Sequence, residues 1–561
     1  MTADRSLGLP ALDGNAGLPP REARAWWRDA VVYQIYPRSF ADSDGDGLGD
    51  LPGIRSRLPY LHDLGVDAVW LSPFYPSPLL DGGYDVADPR EVDPRLGTVT
   101  DLRGIVEDCH ALGMRVFVDV VPNHFSWEHA WFQAALDSAP GSPEWSRFHA
   151  LRGTGERGEL PPTNWPSAFG GPAWTPIPGH GGWWYLHLFD TSQPDVNWGS
   201  PEIHADFAQT LRFWFDLGVD GFRIDVAHSL IKADGYPDGP VIDDPLAQVL
   251  AGNEQGPAWD QPEVHDVWRE WRRLADAYDP PRVFVGEAWV STAEAQAAYT
   301  RPDELHTTFN FHFLKAWWDA EVIRDVIGTS LLSSAAVGAP PTWVLSNHDV
   351  WRPVTRFAPV RHDQSHDLET GRRRALALSL LSLALPGSAY LYQGEELGLP
   401  EVLDLPDEVR QDPTYFRTQG RLKGRDGCRV PLPWSGDAPP YGFTSGTPWL
   451  PQPLDWAGLT AEAQALDEHS TLAVYRRALR ARRESPVLGD GEMRWVDAGH
   501  AAVVAFERPG LAPVLVLLNT GADTVEVVAA GEILVEAGGV VHDGRGVLTL
   551  PPDSTCWLRL S

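Results

Sequence analysis

The sequence predicts a (β/α)8 TIM barrel of the α/β class, with an inserted subdomain after its third strand and a C-terminal antiparallel β-sandwich. Three observations lead there. Short, almost wholly apolar runs alternate with helical segments from about residue 30 to 485. A long stretch after the third run lacks this alternation. Beyond Tyr475–Glu484 helices give way to short strands and turns.

The strand candidates, in order, are Val31–Tyr36, Ala68–Leu71, Val116–Val121, Gly221–Asp225, Val283–Glu287, Thr307–Phe311, Thr342–Ser346 and Ala389–Tyr392. Near-continuous apolar strands are covered on both faces, and their alternation with helices marks a parallel sheet. Helical candidates between them include Asp101–Leu112, Ile203–Leu217, Glu263–Tyr278 and Gly371–Leu385. Eight such units form a barrel whose active site gathers at the C-terminal ends of the strands. After Val121-Pro122-Asn123-His124 the next clear helix begins only near Ser200. So long a structureless loop is uncommon inside a compact domain, and the stretch reads as a subdomain above the barrel mouth. It holds Trp165, Phe169, Trp174, Trp183, Trp184 and Tyr185 in a Gly- and Pro-rich context, where sugar stacking is expected rather than a regular core. At the C-terminal end, Met493–Phe506, Val514–Leu518, Thr524–Val528, Ile533–Val535 and Thr555–Leu560 read as strands of a sandwich. The expected divisions are a barrel (1–123 and 200–485), an insert (124–199) and a β domain (486–561).

The 561 residues are 43% hydrophobic, enough for a large core. A formal charge of −32 argues against nucleic acid or an anionic membrane as partner. Lys232, Lys315 and Lys423 are the only lysines. Cys109, Cys428 and Cys556 form neither a disulfide framework nor a paired metal motif, and fit a reducing interior. Met1 to Trp27 has no apolar run of leader length, and no stretch is long enough to span a bilayer. A cytoplasmic monomer or small homo-oligomer is expected.

Three carboxylates end predicted strands: Asp225 after Gly221-Phe222-Arg223-Ile224, Glu287 after Val283–Gly286, and Asp349 after Ser346-Asn347-His348. Burial disfavours a carboxylate's charge, and neighbouring carboxylates raise one another's pKa. Acids placed so suit acid/base and nucleophilic work in glycoside cleavage. Arg223, two residues before Asp225 and on the same strand face, is expected to keep it ionised. The run Asp42-Ser43-Asp44-Gly45-Asp46-Gly47-Leu48-Gly49-Asp50 sets carboxylates at alternate positions, with the Leu48 carbonyl among them. That suits a hard cation, Ca2+ or Mg2+, in a structural role. No organic cofactor is implied.

These motifs, in order, resemble the α-amylase superfamily, family 13 of the glycoside hydrolases, in its α-glucosidase and oligo-1,6-glucosidase branch. The likeness covers Asp119–His124, Gly221–Asp225, Gly286-Glu287-Ala288-Trp289 and Ser346–Asp349, with Gln193-Pro194-Asp195-Val196-Asn197 as a fifth motif. It implies that Asp225 is the nucleophile, Glu287 the general acid/base, its pKa raised by burial and the other acids, and Asp349 a transition-state stabiliser. Retention implies carboxyls about 5–5.5 Å apart. It implies that His124 and His348 bind the same sugar. Asp81 would meet its non-reducing end, Tyr84 would stack below it, and Arg425 would pair with Asp81 to close the pocket. Asp85 reads as structural. Phe169, Phe189 and Arg356 are expected on the leaving-group side. The implied enzyme is a retaining, exo-acting α-glucosidase acting on short maltose-type α-glucosides. Alternatives on the same scaffold are oligo-1,6-glucosidase, trehalose synthase, sucrose isomerase and sucrose hydrolase. Val226 accompanies α-1,6 specificity in the resembling branch, but Ala227–Lys232 departs from its usual continuation. Amylase-like partners of membrane transporters lack some of the acids and carry an anchor; this chain has the acids and no anchor.

Overall fold

The structure, a computed structural model, describes residues 25–240 and 256–561. The expectation of a missing leader therefore falls mostly on residues outside that range. The first strands are β1 (Val31–Ile35), β2 (Ala68–Leu71) and β3 (Arg115–Val120). Next come β4 (Ala150–Arg152), β5 (Trp174–Pro176) and β6 (Trp183–Leu186), then β7 (Gly221–Ile224) and β8 (Val283–Gly286). The last of this part are β9 (Thr307–Thr308), β10 (Thr342–Val344) and β11 (Ser388–Tyr392).

Eight of these pair in the order β10-β11-β1-β2-β3-β7-β8-β9, all parallel. The ring closes where Phe309 bridges Thr342 in parallel and the Asn310 N–H donates to the Thr342 carbonyl at 3.0 Å. Every residue of β1, β2, β7, β8 and β11 is buried, which is why these strands read as unbroken apolar runs. Local signals set the helices between them. Helix Val99–Ala111 starts at a reciprocal capping box of Thr98 and Asp101. Helix Pro201–Leu217 begins with proline and stops at Gly218, whose φ of 115° lies in the left-handed region that glycine enters freely.

The segment between β3 and the Pro201–Leu217 helix carries β4, β5 and β6 as a small antiparallel sheet, ordered β4-β6-β5. Its aromatics depart from the expectation. Trp165, Trp174 and Tyr185 are buried, and the two tryptophans pack with Leu186, Leu188, Val226 and Trp259 as a core. A small subdomain has few other large apolar groups with which to build one, so its aromatics fill it.

Beyond the barrel lie β12 (Arg494–Trp495), β13 (Val503–Arg508), β14 (Val514–Asn519) and β15 (Val525–Val528). They are followed by β16 (Gly531–Ala537), β17 (Val541–His542), β18 (Val547–Leu550) and β19 (Ser554–Leu560). A five-stranded sheet, β12-β13-β14-β19-β16, faces a three-stranded one, β15-β18-β17, across Leu515, Leu517, Val527, Leu548 and Leu558. The single strand expected over Met493–Phe506 is two, because Gly499 (φ 75°) turns the chain and its N–H donates to Asp497. The larger sheet's other face meets the barrel, where Trp557 Nε1 donates to the Leu380 carbonyl of helix Leu368–Ala384 at 3.1 Å. Among the described residues no helix is long and apolar enough to cross a membrane. The three cysteines are free and buried.

Candidate active site

Asp225 and Glu287 continue the ladder one residue past their strands. The Asp225 N–H donates to the Val120 carbonyl and the Glu287 N–H to that of Ile224, each at 2.9 Å. Since Ile224 pairs with Gly286, the two acids sit side by side on adjacent strands at the barrel's C-terminal end. The next residue, Val226, has a φ of 45°, which a β-branched side chain adopts only under strain. That twist turns the Val226 N–H toward Glu287 Oε2, at 3.1 Å.

One fully buried guanidinium serves three acids. Arg223 Nη1 donates to Asp225 at 2.7 Å and to Asp119 at 2.8 Å, and Nη2 lies 2.5 Å from Glu287. Shared three ways, it does not hold Asp225 in the ordinary carboxylate range. Burial pushes Asp225 well above that range, Arg223 pulls it back, and Glu287 and Asp119 raise it again. Asp119 is pushed up to about 6 by burial, against the pull of Arg223. Arg223 is therefore the main pull toward the ionised form of Asp225, and burial with the neighbouring acids works against it. Trp289 Nε1 donates to Glu287 Oε1 at 2.9 Å, and its ring lies flat on Phe311, 3.7 Å between centroids.

A second arginine hub closes the other side. Arg425 reaches Asp81 at 2.6 Å, Asp349 at 3.1 Å and Asp412 at 2.6 Å. Arg429 adds a further bond to Asp349 at 3.1 Å. Burial acts to raise the Asp349 carboxyl, yet His348, Arg425 and Arg429 hold it well below the usual range. His348 stacks on Tyr84, centroids 5.0 Å apart and rings 4° from parallel. Tyr84 in turn donates to Asp119 at 3.0 Å.

Both hubs face a cavity of about 380 Å³, inside the range of small-molecule sites. It is lined by Asp81, Tyr84, His124, Asp225, Glu287, His348, Asp349 and Arg425, so the expected acids, histidines and pocket pair meet in one place. Phe169 and Phe189 line it too, Phe169 under the Arg425 guanidinium at 4.8 Å. Arg356 does not. Its Nη groups donate to the carbonyls of Trp351 and Leu345, bracing from behind the loop that carries His348 and Asp349. An arginine seven residues past Asp349 looked like a pocket residue; the short helix Pro353–Arg356 turns it away. Asp85 takes hydrogen bonds from Ser77 and Leu80 and is structural.

In the loop after β1, Asp42, Asp44 and Asp50 bring carboxylate oxygens within 4.8 Å of one another. An all-carboxylate donor set suits a hard cation. The cluster does not extend to Asp46, whose Oδ1 accepts the Leu48 N–H at 2.7 Å. Asp50 also caps the following helix through Gly53.

Sequence reasoning missed several contributors. Asp412 anchors Arg425 from thirteen residues away with no motif around it. Arg429 lies one turn past Arg425, and that spacing was the available signal. Trp351 and Trp289 line the cavity. Gln193 was seen only as part of a motif; it donates to Asp81 at 2.9 Å.

The chain matches the family model for the alpha amylase catalytic domain over residues 34–491. It is 37% identical over 513 residues to a probable alpha-glucosidase of Rhizobium meliloti (strain 1021), spanning 88% of this chain and 89% of that protein. It is 34% identical over 497 residues to an oligo-1,6-glucosidase of Parageobacillus thermoglucosidasius, spanning 83% and 85%. A crystal structure of an alpha-glucosyl transfer enzyme, XgtA, matches with a TM-score of 0.84 at 37% identity, covering 96% of this chain and 100% of that one.

Proposed function

The chain belongs to the alpha-amylase family of glycoside hydrolases, and from that membership we propose a retaining, exo-acting α-glucosidase that frees α-glucose from the non-reducing ends of short maltose-type α-glucosides. The observation that carries the reading is the side-by-side placement of Asp225 and Glu287 on one guanidinium, in a cavity closed by Arg425 and Asp81. A retaining enzyme starts with an ionised nucleophile beside a protonated acid, the roles taken here by Asp225 and Glu287. Asp225 Oδ attacks the anomeric carbon while Glu287 gives its proton to the departing glycosidic oxygen. The product is a glucosyl ester of Asp225 and a free alcohol. Water then attacks the same carbon, Glu287 takes its proton, and the Asp225 carboxylate leaves. Two inversions retain the α configuration.

Asp349, held ionised by its arginines, would accept hydrogen bonds from the sugar hydroxyls and oppose the positive charge developing on the ring. A pocket closed by the Asp81–Arg425 pair would favour exo action on a terminal glucose. Replacing Asp225 with Ala should abolish glucose release while circular dichroism stays unchanged. A folded, active Asp225→Ala protein would overturn the reading.

A second reading, hydrolysis of isomaltose-type α-1,6 bonds, is favoured by Val226 beside the nucleophile. Side-by-side rates on maltose and isomaltose decide between the two. Isomerised or transferred sugars, rather than free glucose, would point to the synthase and transferase relatives. Asp42, Asp44 and Asp50 would hold a structural Ca2+ or Mg2+. They precede the catalytic tips and supply none of the acids there, so the ion would act on stability alone.

A further inference from the structure

The fifth motif, Gln193–Asn197, and the buried lysine Lys232 have no part in the steps above. Both converge on His124. The motif's backbone pairs with the tip of β3: Asp195 bridges His124, and the Val196 N–H donates to the Asn123 carbonyl at 2.9 Å. Lys232 is buried, and its Nζ lies 2.9 Å from Asp195 Oδ2 and 3.0 Å from Asn123 Oδ1. Ser229 Oγ donates to the same Asn123 oxygen at 2.8 Å. With its oxygen taken by two donors, the Asn123 amide must present Nδ2 to the other side, where His124 Nδ1 lies at 3.2 Å. The opposite edge of the ring meets both a donor and an acceptor. Gln193 Oε1 accepts the Asp190 N–H at 2.8 Å and its Nε2 donates to Asp81 at 2.9 Å. That orientation puts Gln193 Nε2 3.1 Å from His124 Nε2, with the Tyr84 carbonyl alongside at 3.2 Å.

An imidazolium carries N–H on both nitrogens. Its Nε2–H has the Tyr84 carbonyl to donate to, but its Nδ1–H would face the fixed Asn123 amide donor. A neutral ring protonated on Nε2 accepts from that donor instead. We propose that Lys232 is a positioning residue for the reaction, pinning the Asn123 amide so that His124 stays an uncharged imidazole at the wall of the cavity. This rests on the α-glucosidase reading for its consequence, not for its geometry. A cation at His124 would line the same cavity as Asp225 and oppose the positive charge that builds on the sugar ring in the transition state. A neutral imidazole can hydrogen-bond a hydroxyl without that penalty. The charged and titratable groups around the ring are Lys232 and Asp195 near Asn123, Tyr84 beside it, Asp81 beyond Gln193, and Asp225 in the same cavity lining. Burial also pushes the His124 ring down, to about 4.

The test reads the ring directly. Full-length protein is labelled with ε1-13C-histidine, and the His124 signal is assigned by its loss in His124→Gln. In wild type that signal should not titrate between pH 8 and 5. In Lys232→Met, which frees the amide and leaves the Asp195 carboxylate unpaired, its midpoint should rise by at least about one pH unit. Asn123→Asp keeps a partner for Lys232 but turns the donor into an acceptor; it should raise the midpoint as well, and it serves if Lys232→Met does not fold. Between the old and new midpoints, kcat on maltose should fall at least tenfold more than KM rises. Asp195→Asn, which retains the lysine, should leave the ring untitrated. A midpoint in Lys232→Met or Asn123→Asp equal to that of wild type would overturn the proposal. Wild-type protein that releases glucose from no α-glucoside would instead remove the functional reading and leave the ring titration standing.

Discussion

A fully buried arginine, Arg223, and a half-buried one, Arg425, each hold three carboxylates at this site, and the acids they hold differ in charge state. Arg223 with Asp119, Asp225 and Glu287 is one cation for three acids, and burial there lifts Asp225 far above the usual range and Asp119 to about 6. Arg425 with Asp81, Asp349 and Asp412 has a second cation in Arg429, and there Asp349 and Asp412 stay below the usual range while burial still raises Asp81. Desolvation is the first cause in both places. Around Asp349 it is outweighed by His348, Arg425 and Arg429, and around Asp412 by Arg425 and Arg429. An ionised Asp349 suits a hydroxyl-binding wall.

The largest expected effect comes from removing the single cation of the first cluster. Arg223→Met should lower kcat/KM by about 10²–10⁴, the usual worth of acid/base catalysis, because Asp225 and Asp119 lose the cation that pulls their raised carboxyls back down. It should also cost about 3–5 kcal/mol of stability, as breaking a buried ion pair does. The loss should depend on pH. With folded-state pKa values raised further above those of the unfolded chain, the folded state binds the extra protons, so stability falls as pH rises from about 4 through the raised values. The deficit in Tm against wild type should therefore be greater at pH 8 than at pH 5. A deficit independent of pH would contradict the shared-cation account.

Arg425→Ala acts on the better-neutralised cluster, where Arg429 still serves Asp349. The expected result is a KM on maltose raised roughly tenfold to hundredfold, with kcat changed less, from lost charged hydrogen bonds worth about 1.5–3 kcal/mol. Loss of kcat alone would mean that Arg425 belongs with the chemistry instead. A smaller effect is expected from the Asp42, Asp44 and Asp50 loop. Calcium at 100 times its Kd should stabilise by about 2.7 kcal/mol, read as a rise in Tm reversed by chelation, with kcat unchanged at low temperature. The smallest is Val226→Thr, which should shift the maltose-to-isomaltose rate ratio by less than about tenfold toward maltose, as one small group in a pocket can.

The barrel was legible because all eight strands bury both faces and so read as apolar runs; only their ends moved by a residue or two, and β9 shrank to Thr307–Thr308. Asp225 and Glu287 were legible because each follows such a run directly, and Asp349 because it closes the motif that follows one. What stayed hidden depends on distance and direction. Arg425 meets Asp81 across 344 positions, and Asp412 has no local pattern at all. The direction of Arg356 is set by a four-residue helix that the sequence does not announce. The burial of Trp165 and Trp174 follows from the small size of the insert rather than from any period along it.

The central claim is that Asp225 takes the sugar covalently while Glu287 handles the proton. It is tested most directly by mass spectrometry after reaction with a 5-fluoro-α-glucosyl fluoride, which forms the glucosyl-enzyme and hydrolyses slowly. The account predicts one added fluoroglucosyl unit, on the peptide that contains Asp225. A label on another residue, or none while the first glucose formed from maltose is the β anomer, would contradict it.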